Sequence, residues 1–372
     1  MATPYKILFI LGTRPEAIKL APVIKEAERD ASFQVETCVT AQHREMLDQM
    51  LEVFAISPDQ DLDLMQNDQS LFTLTSTAVV GLGDVLGRVK PDFVIVQGDT
   101  TTTMVAALAA YYLRIPVGHV EAGLRTFQRY APFPEEMNRR IVSVVADLHF
   151  APTEWARGNL LRERVDADRI FVVGNTVVDA VLEVAERLDR QGDADLDLGL
   201  GRLILVTVHR RESFGQLGEI CQVIRTIVEE FSDVVVIWPV HLNPNVQKVV
   251  RRGLAGIERV RLVPPLDYLS LVRTLRRSYL VLTDSGGIQE EAPVFGKPVL
   301  VLREVSERPE GIEANVARLV GTSEATILPQ VRKLLRDEQE YTPMARAQSP
   351  YGDGKASGRI LEQVKRFLGS RA

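Results

Sequence analysis

The sequence predicts an α/β protein built as two doubly wound parallel-sheet domains facing each other across a cleft, and three observations carry that reading. Short apolar, β-rich runs alternate with helical patterns from one end of the 372-residue chain to the other. These runs are apolar on both faces, as strands are when a parallel sheet is covered by helices on both sides. The plan occurs twice, with the polar, Gly/Asp-rich stretch "RQGDADLDLGLG" separating the two occurrences. The expected domains are 1–174 and 175–372.

The strand runs of the first half are "KILFIL" (6–11), "QVETCVT" (34–40), "DFVIVQG" (92–98), "IPVGHV" (115–120), "LHFAP" (148–152) and "IFVVG" (170–174). Helical segments at 15–29, 70–88 and 101–113 lie between several of them. The second half continues with "LILVTVH" (203–209), "DVVVIWPV" (233–240), "RVRLVP" (259–264), "YLVLTDS" (279–285) and "PVLVL" (298–302). A closing helix is expected at 357–369, open to packing back on the first domain. The halves share a pattern, not a sequence repeat.

Composition narrows the function classes. A formal charge of −6 argues against a general nucleic-acid binder, which carries a basic excess. The cysteines, Cys38 and Cys221, sit far apart inside apolar runs, so a reduced cytoplasmic protein is expected rather than a disulfide framework or a cysteine-ligated metal. No apolar run approaches the roughly 20 residues that span a bilayer. No signal-peptide pattern precedes the first strand, and no His/Cys/carboxylate cluster has metal-ligand spacing.

Ligands of doubly wound sheets bind beyond the carboxyl ends of the strands, which directs attention to the segments that follow each run. After the first, "LGTRPEAIKLAP" lacks the glycine spacing of a dinucleotide fingerprint. Thr13 and Glu16 have capping-box spacing, and Arg14 and Lys19 lie near a helix N-terminus that favours an anion. In "VQGDTTTT", Asp99 reads equally as a helix cap or as an acid/base group. "HVEAGLRT" carries Glu121 out of a buried strand, where a carboxylate needs a partner or a task. "FPEEMNRR" opens a helix in which Glu135 and Arg139 could form an ordinary i,i+4 pair. Pro132 and Pro134 separate Glu121 from Glu135, so one irregular segment holds both acids. In the second half, His209 in "TVHRRESFG" and, with a weaker signal, His241 in "VHLNP" stand at strand ends. In "TDSGGIQEEA", Ser285, Gly286 and Gly287 open a helix that can approach a phosphate, with Glu291 placed to accept ribose hydroxyls. Arg308 lies in the further loop "SERPE".

Together these motifs closely resemble the non-hydrolysing UDP-N-acetylglucosamine 2-epimerases. The resemblance runs nearly the whole chain in the family's order, through "GTRPEAIKLAP", "AQHREMLDQ", "QGDTTTT", "HVEAGLRT", "PFPEEMNRR", "HRRESFG", "HLNPNV", "TDSGGIQEEAP", "GKPVLVLRE", "ERPE" and "SPYGDGKAS". It implies two Rossmann-like domains in the GT-B arrangement, a homodimer, and no cofactor or metal. The implied reaction inverts C2 of the sugar by anti-elimination of UDP to a 2-acetamidoglucal and re-addition of UDP, supplying ManNAc-type sugars for cell-surface polysaccharides. The implied partners are UDP-N-acetylglucosamine and UDP. Carried over residue by residue, Asp99, Glu121 and Glu135 form the acid/base set. Arg139 orients a carboxylate, and His209 assists near the leaving diphosphate. Arg14, Lys19, His241, Ser285, Gly286, Gly287, Glu291 and Arg308 bind UDP. Leu266 and Leu271 stand where relatives can place a polar and an aromatic residue near the uracil, so base contacts through the backbone are expected. Gln42 and His43 keep the motif of an activator subsite seen in some bacterial members, from which Glu45 and Asp68 depart. The rival readings are a GT-B glycosyltransferase, which needs an acceptor groove but not three acids in the sugar pocket, and a hydrolysing epimerase. A non-catalytic nucleotide-sugar sensor could dispense with the carboxylates.

Overall fold

A computed structural model describes residues 3–41, 44–64, 69–192, 201–208, 215–306 and 308–371. The first sheet contains β1 (Tyr5–Leu11), β2 (Phe33–Val39), β3 (Gln60–Asp61), β4 (Phe93–Gln97), β5 (Val117–Val120), β6 (Leu148–Ala151) and β7 (Ile170–Val172). Its strand order is β3-β2-β1-β4-β5-β6-β7. Its helices are α1 (Arg14–Arg29), α2 (Arg44–Phe54), α3 (Leu71–Val89), α4 (Thr101–Tyr112), α5 (Glu135–Val145) and α6 (Glu154–Arg162), and α7 (Thr176–Gln191) leads out of it. The second sheet contains β8 (Arg202–Thr207), β9 (Val234–Pro239), β10 (Val260–Val263), β11 (Ser278–Thr283), β12 (Val299–Val301) and β13 (Ala317–Leu319), in the order β10-β9-β8-β11-β12-β13. Around it run α8 (Leu217–Glu230), α9 (Pro244–Leu254), α10 (Tyr268–Arg277), α11 (Gly286–Glu291), α12 (Pro309–Glu313), α13 (Glu324–Arg336) and α14 (Glu338–Arg346), and α15 (Ala356–Gly369) closes the chain.

The described strand pairs are all parallel. The both-faces-apolar pattern has the physical cause expected of it: Ile7, Leu8, Phe9, Ile10 and Leu11 of β1 are each fully buried, because helices cover both sides. β3 and β13 go beyond the expected strands. They are edge strands of two and three residues, too short to show as an apolar run.

In each sheet the chain winds outward from a central strand, then returns to the other side of it. The reversal lies between β1 and β4 in the first sheet and between β8 and β11 in the second. Crevices for ligands open at such points, beyond the carboxyl ends of the strands.

The chain divides by its contacts into one unit of Met1–Ala180 with Tyr351–Ala372 and a second of Val181–Pro350. The division falls after Ala180, inside α7, rather than after residue 174. The closing helix belongs to the first unit: α15 packs on α1, Lys365 Nζ lies 3.2 Å from Asp30 Oδ2, and Phe367 meets Phe93 edge-on at 5.7 Å.

Candidate functional site

At the reversal point of the first sheet, β1 is followed by Gly12. A Cβ there would stand 2.2 Å from Thr40 Oγ1 and 2.5 Å from Thr102 Oγ1, so only glycine permits the turn. Thr13 occupies the N-cap of α1 but makes no side-chain cap hydrogen bond, so the expected capping box does not form. Glu16 instead accepts the N–H of Gly12 at 2.9 Å on Oε2, while its Oε1 lies 2.6 Å from Thr100 Oγ1 and 2.8 Å from Thr103 Oγ1. Glu16 is 1% exposed, and burial pushes its carboxyl above the usual range against the pull of these hydrogen bonds. Thr103 Oγ1 is also 2.6 Å from the carbonyl of Gln97. The Glu16 carboxyl thus ties the turn after β1 to the start of α4.

One strand over, Thr100 caps α4 by accepting the N–H of Thr103 at 3.1 Å. The cap is Thr100, which releases Asp99 from that task. Asp99 Oδ2 accepts instead from Arg139 Nη2, and its carbonyl accepts from Asn138 Nδ2 at 3.0 Å. Arg139 is buried on α5, and its second partner is Glu136 Oε2 at 3.5 Å. Glu136 is fully buried and holds the loop before α5 by accepting the N–H groups of Thr126 at 3.0 Å and Phe127 at 3.2 Å. Glu135, at the first position of α5, is half-buried. Both Ala131–Pro132 and Phe133–Pro134 are cis peptides in this loop.

Glu121 follows β5 directly, with φ of 63°, a left-handed conformation that a residue bearing a Cβ adopts at a cost of about 1–2 kcal/mol. Buried as it is, its carboxylate collects donors from three separate segments. Lys19 Nζ of α1 and Asn175 Nδ2, the latter at 3.2 Å, reach Oε1, and Gln97 Nε2 of β4 reaches Oε2. The cation and the amides offset the desolvation of a buried charge. Below it, the His119 imidazole donates Nε2–H to the Gly98 carbonyl at 2.7 Å. Complete burial lowers its pKa to about 3, so it is a neutral structural donor. Arg125 is also structural, bridging Glu163, Ser143 and the Leu124 carbonyl.

In the second unit the turn after β11 leads through Ser285 into α11. Ser285 N–H donates to Thr283 Oγ1 at 2.9 Å. The Arg308 guanidinium lies against Gly286: a Cβ there would stand 2.6 Å from Nη1 and 2.8 Å from Cζ. Arg308 Nε donates to the buried Glu290 Oε1 at 2.7 Å, so Arg308 is held over the start of α11. Glu291 is 5% exposed and accepts from Tyr268 Oη at 3.3 Å. His241 is exposed, its Nδ1 accepting the N–H of Asn243. Leu266 is half-buried, and Leu271 packs against the core that contains Leu203, Leu205 and Val281.

The structure thus joins Lys19 to Glu121, Asp99 to Arg139, and Gly286 to Arg308. Arg14 is half-buried at the first position of α1. His209, Gln42 and His43 lie outside the described residues. Sequence reasoning passed over Gln97, Asn175, Glu136 and Glu290. Each stands within two residues of a position that was singled out or directly after a strand run, so the strand-end rule would have reached Asn175. Among the described residues, no group of three or more His, Cys, Asp or Glu could hold a metal ion, and no helix is long and apolar enough to cross a membrane.

Residues 25–365 match the family model described as UDP-N-acetylglucosamine 2-epimerase. The chain is 52% identical over 371 residues to the UDP-N-acetylglucosamine 2-epimerase of Salmonella typhimurium, covering 97% of this chain and 99% of that protein. The crystal structure of UDP-GlcNAc 2-epimerase from Neisseria meningitidis bound to UDP-GlcNAc superposes with a TM-score of 0.91 at 44% identity, covering 97% of this chain and 100% of that one. The Methanocaldococcus jannaschii enzyme in complex with UDP-GlcNAc and UDP gives 0.81 at 33% identity, covering 97% and 99%.

Proposed function

The chain belongs to the UDP-N-acetylglucosamine 2-epimerase family, and from that premise we propose that it interconverts UDP-N-acetylglucosamine and UDP-N-acetylmannosamine without hydrolysing either. The observation that carries the reading is Glu121. A carboxylate in a left-handed backbone conformation, buried at a strand end and gripped by Lys19, Gln97 and Asn175, is a costly arrangement for a structural residue.

The C2 hydrogen of the sugar is not acidic in the ground state. As the C1–O bond breaks, its electron pair leaves with UDP, C1 gains oxocarbenium character, and the C2 proton passes to a carboxylate. The product pair is UDP and 2-acetamidoglucal. Return delivers a proton to the opposite face of C2, and a diphosphate oxygen re-forms the bond to C1. No net oxidation occurs, so the protein's own groups suffice. Asp99, Glu121 and Glu135 serve as the acid/base set, with Arg139 orienting Asp99 and His209 assisting the leaving diphosphate. Ser285, Gly286, Gly287 and Arg308 of the second unit take the diphosphate and Glu291 takes the ribose, while Arg14 and Lys19 offer cationic groups to an anion in the first unit. His241, Leu266 and Leu271 line the nucleotide end. Free, buried Cys38 and Cys221 suit a reducing cytoplasm.

The test is turnover of UDP-N-acetylglucosamine in D2O followed by NMR. Solvent deuterium should appear at C2 of both epimers. Epimer that retains its original C2 hydrogen would overturn the elimination route. A homodimer is also proposed, through the apolar face of the neighbouring helices α3, α4 and α5, where Phe72 is 88% and Val144 87% exposed. Val144→Glu should give a monomer in sedimentation if this face is the interface, and an unchanged species if it is not.

A further inference from the structure

The chain leaves the first unit through α7, after Ala180, and re-enters it at Tyr351. Both passages run past one residue. Asn175 donates its N–H to the Tyr351 carbonyl at 2.7 Å. Beside it Gly174 lies against Gly352, where a Cβ on Gly174 would come 3.3 Å from the Gly352 Cα. One turn into α7, Asp179 receives the N–H groups of Ser357 at 2.9 Å and Ala356 at 3.3 Å, at the start of α15. Outgoing and returning segments are therefore fastened together at residues 174–179 and 351–357.

The Asn175 side chain, 2% exposed, uses its two ends for different purposes. Its Oδ1 accepts the N–H of Val177 at 3.0 Å, an Asx turn that opens α7. A backbone N–H can only donate, so this contact fixes the amide orientation and directs Nδ2 at Glu121 Oε1, 3.2 Å away. The opening turn of α7 would be served equally by aspartate or serine. Only the contact with Glu121 calls for an amide.

We propose that Asn175 is a positioning residue for the epimerisation, fixing the Glu121 carboxylate from the joint at which the chain passes between its units. The inference rests on Glu121 as an acid/base group. Among the described residues, the charged and titratable groups placed with Glu121 include Lys19, from α1, and the His119 imidazole, from β5.

Two substitutions keep the Asx turn and change only the end that faces Glu121. Asn175→Ser removes the donor. Asn175→Asp replaces it with a second carboxylate, which opposes ionisation of Glu121. Loss of a partner that orients a functional group commonly costs about 10- to 100-fold. We expect Asn175→Ser to lower kcat by about 10-fold or more with KM little changed, in a protein whose thermal midpoint and UDP binding match the parent. Asn175→Asp should lower kcat further and move the acid limb of its pH profile upward by about one unit. A cycle with Glu121→Gln separates the possibilities. If Asn175 acts through Glu121, Asn175→Ser costs nothing more in the Glu121→Gln background. An equal loss in both backgrounds, or parental kcat and pH profile in both Asn175 variants, overturns the inference and leaves Asn175 as the opening residue of α7. Near-normal turnover by Glu121→Gln alone would instead overturn the role of Glu121, and this inference with it. Should Asn175→Asp fail to fold, the serine variant and the cycle still decide.

Discussion

At the scale of single residues, Glu16 shows how little a local pattern fixes a side chain's task. Thr-x-x-Glu spacing predicts a capping box, yet the glutamate binds Gly12 and two threonines that lie 84 and 87 residues further on. Nothing within four positions of Glu16 announces those partners. Asp99 shows the same limit from the other side: four adjacent threonines left cap and catalyst equally open, and the competition for one helix N-terminus was won by Thr100. The upward shift of the Glu16 carboxyl can be checked by replacement with glutamine. An amide nitrogen can take the place of Oε1 and donate to the threonine hydroxyls, while its oxygen accepts from Gly12. A carboxyl whose folded pKa is raised gives its full contribution below the ordinary carboxyl value of 4.5, and loses it as pH rises toward the folded pKa. Glu16→Gln should therefore match the parent in urea unfolding at pH 4.5 and gain on it as pH rises. A constant deficit at every pH would mean an ionised Glu16 that accepts all three donors.

At the scale of elements, most of the site was legible because the strands were legible. The runs at 92–98 and 115–120 place Asp99 and Glu121 at neighbouring strand ends, and β4 and β5 do pair in register. The helix after Pro134 was equally plain. Its inward face was not, because Glu135 and Glu136 are adjacent carboxylates and the fourteen residues of irregular chain at 121–134 erase the helical phase before them. The structure gives the buried role to Glu136, which spans the N–H groups of Thr126 and Phe127 and the Arg139 guanidinium. In Glu136→Gln, an amide nitrogen must face one of those donors, leaving a buried group unsatisfied at about 1–3 kcal/mol. Faster hydrogen exchange is expected at the Thr126 and Phe127 amides, and turnover should fall because Arg139, the partner of Asp99, loses its second contact. Unchanged exchange at those amides would show that the loop is held by other means.

At the scale of the whole molecule, the two-sheet plan could be read from alternating runs, whereas the return of the closing helix to the first unit could be raised from the sequence but not decided by it. That return depends on contacts such as Lys365 with Asp30 and Phe367 with Phe93, between segments at opposite ends of the chain. Sheet burial also sets the response of the fold to acid. His119 of β5 and His149 of β6 are register partners in the first sheet, both buried. Burial lowers the first to about 3 and the second to about 4 from an ordinary 6.5. The unfolded chain therefore takes up two protons that the folded one refuses. Stability falls as pH drops below 6.5, by about 1.4 kcal/mol per pH unit for each histidine, until the folded values are reached. The surface carboxylates with lowered pKa, Asp30, Asp233, Asp353 and Glu340, begin to lose their contribution only as pH falls through 3.8, or 4.5 for Glu340. Glu16 and Asp179, whose shifts are upward, oppose the histidines. Urea unfolding between pH 6 and 5 should thus show the histidine loss on acidification set against the gain from these two carboxyls, and a variant separates them. In His149→Asn the slope of that loss should drop by about 1.4 kcal/mol per pH unit, one proton's worth, whatever the substitution does to stability at neutral pH. A slope equal to the parent's would mean that His149 already carries its proton in the folded sheet, and the acid sensitivity would then have to come from other groups.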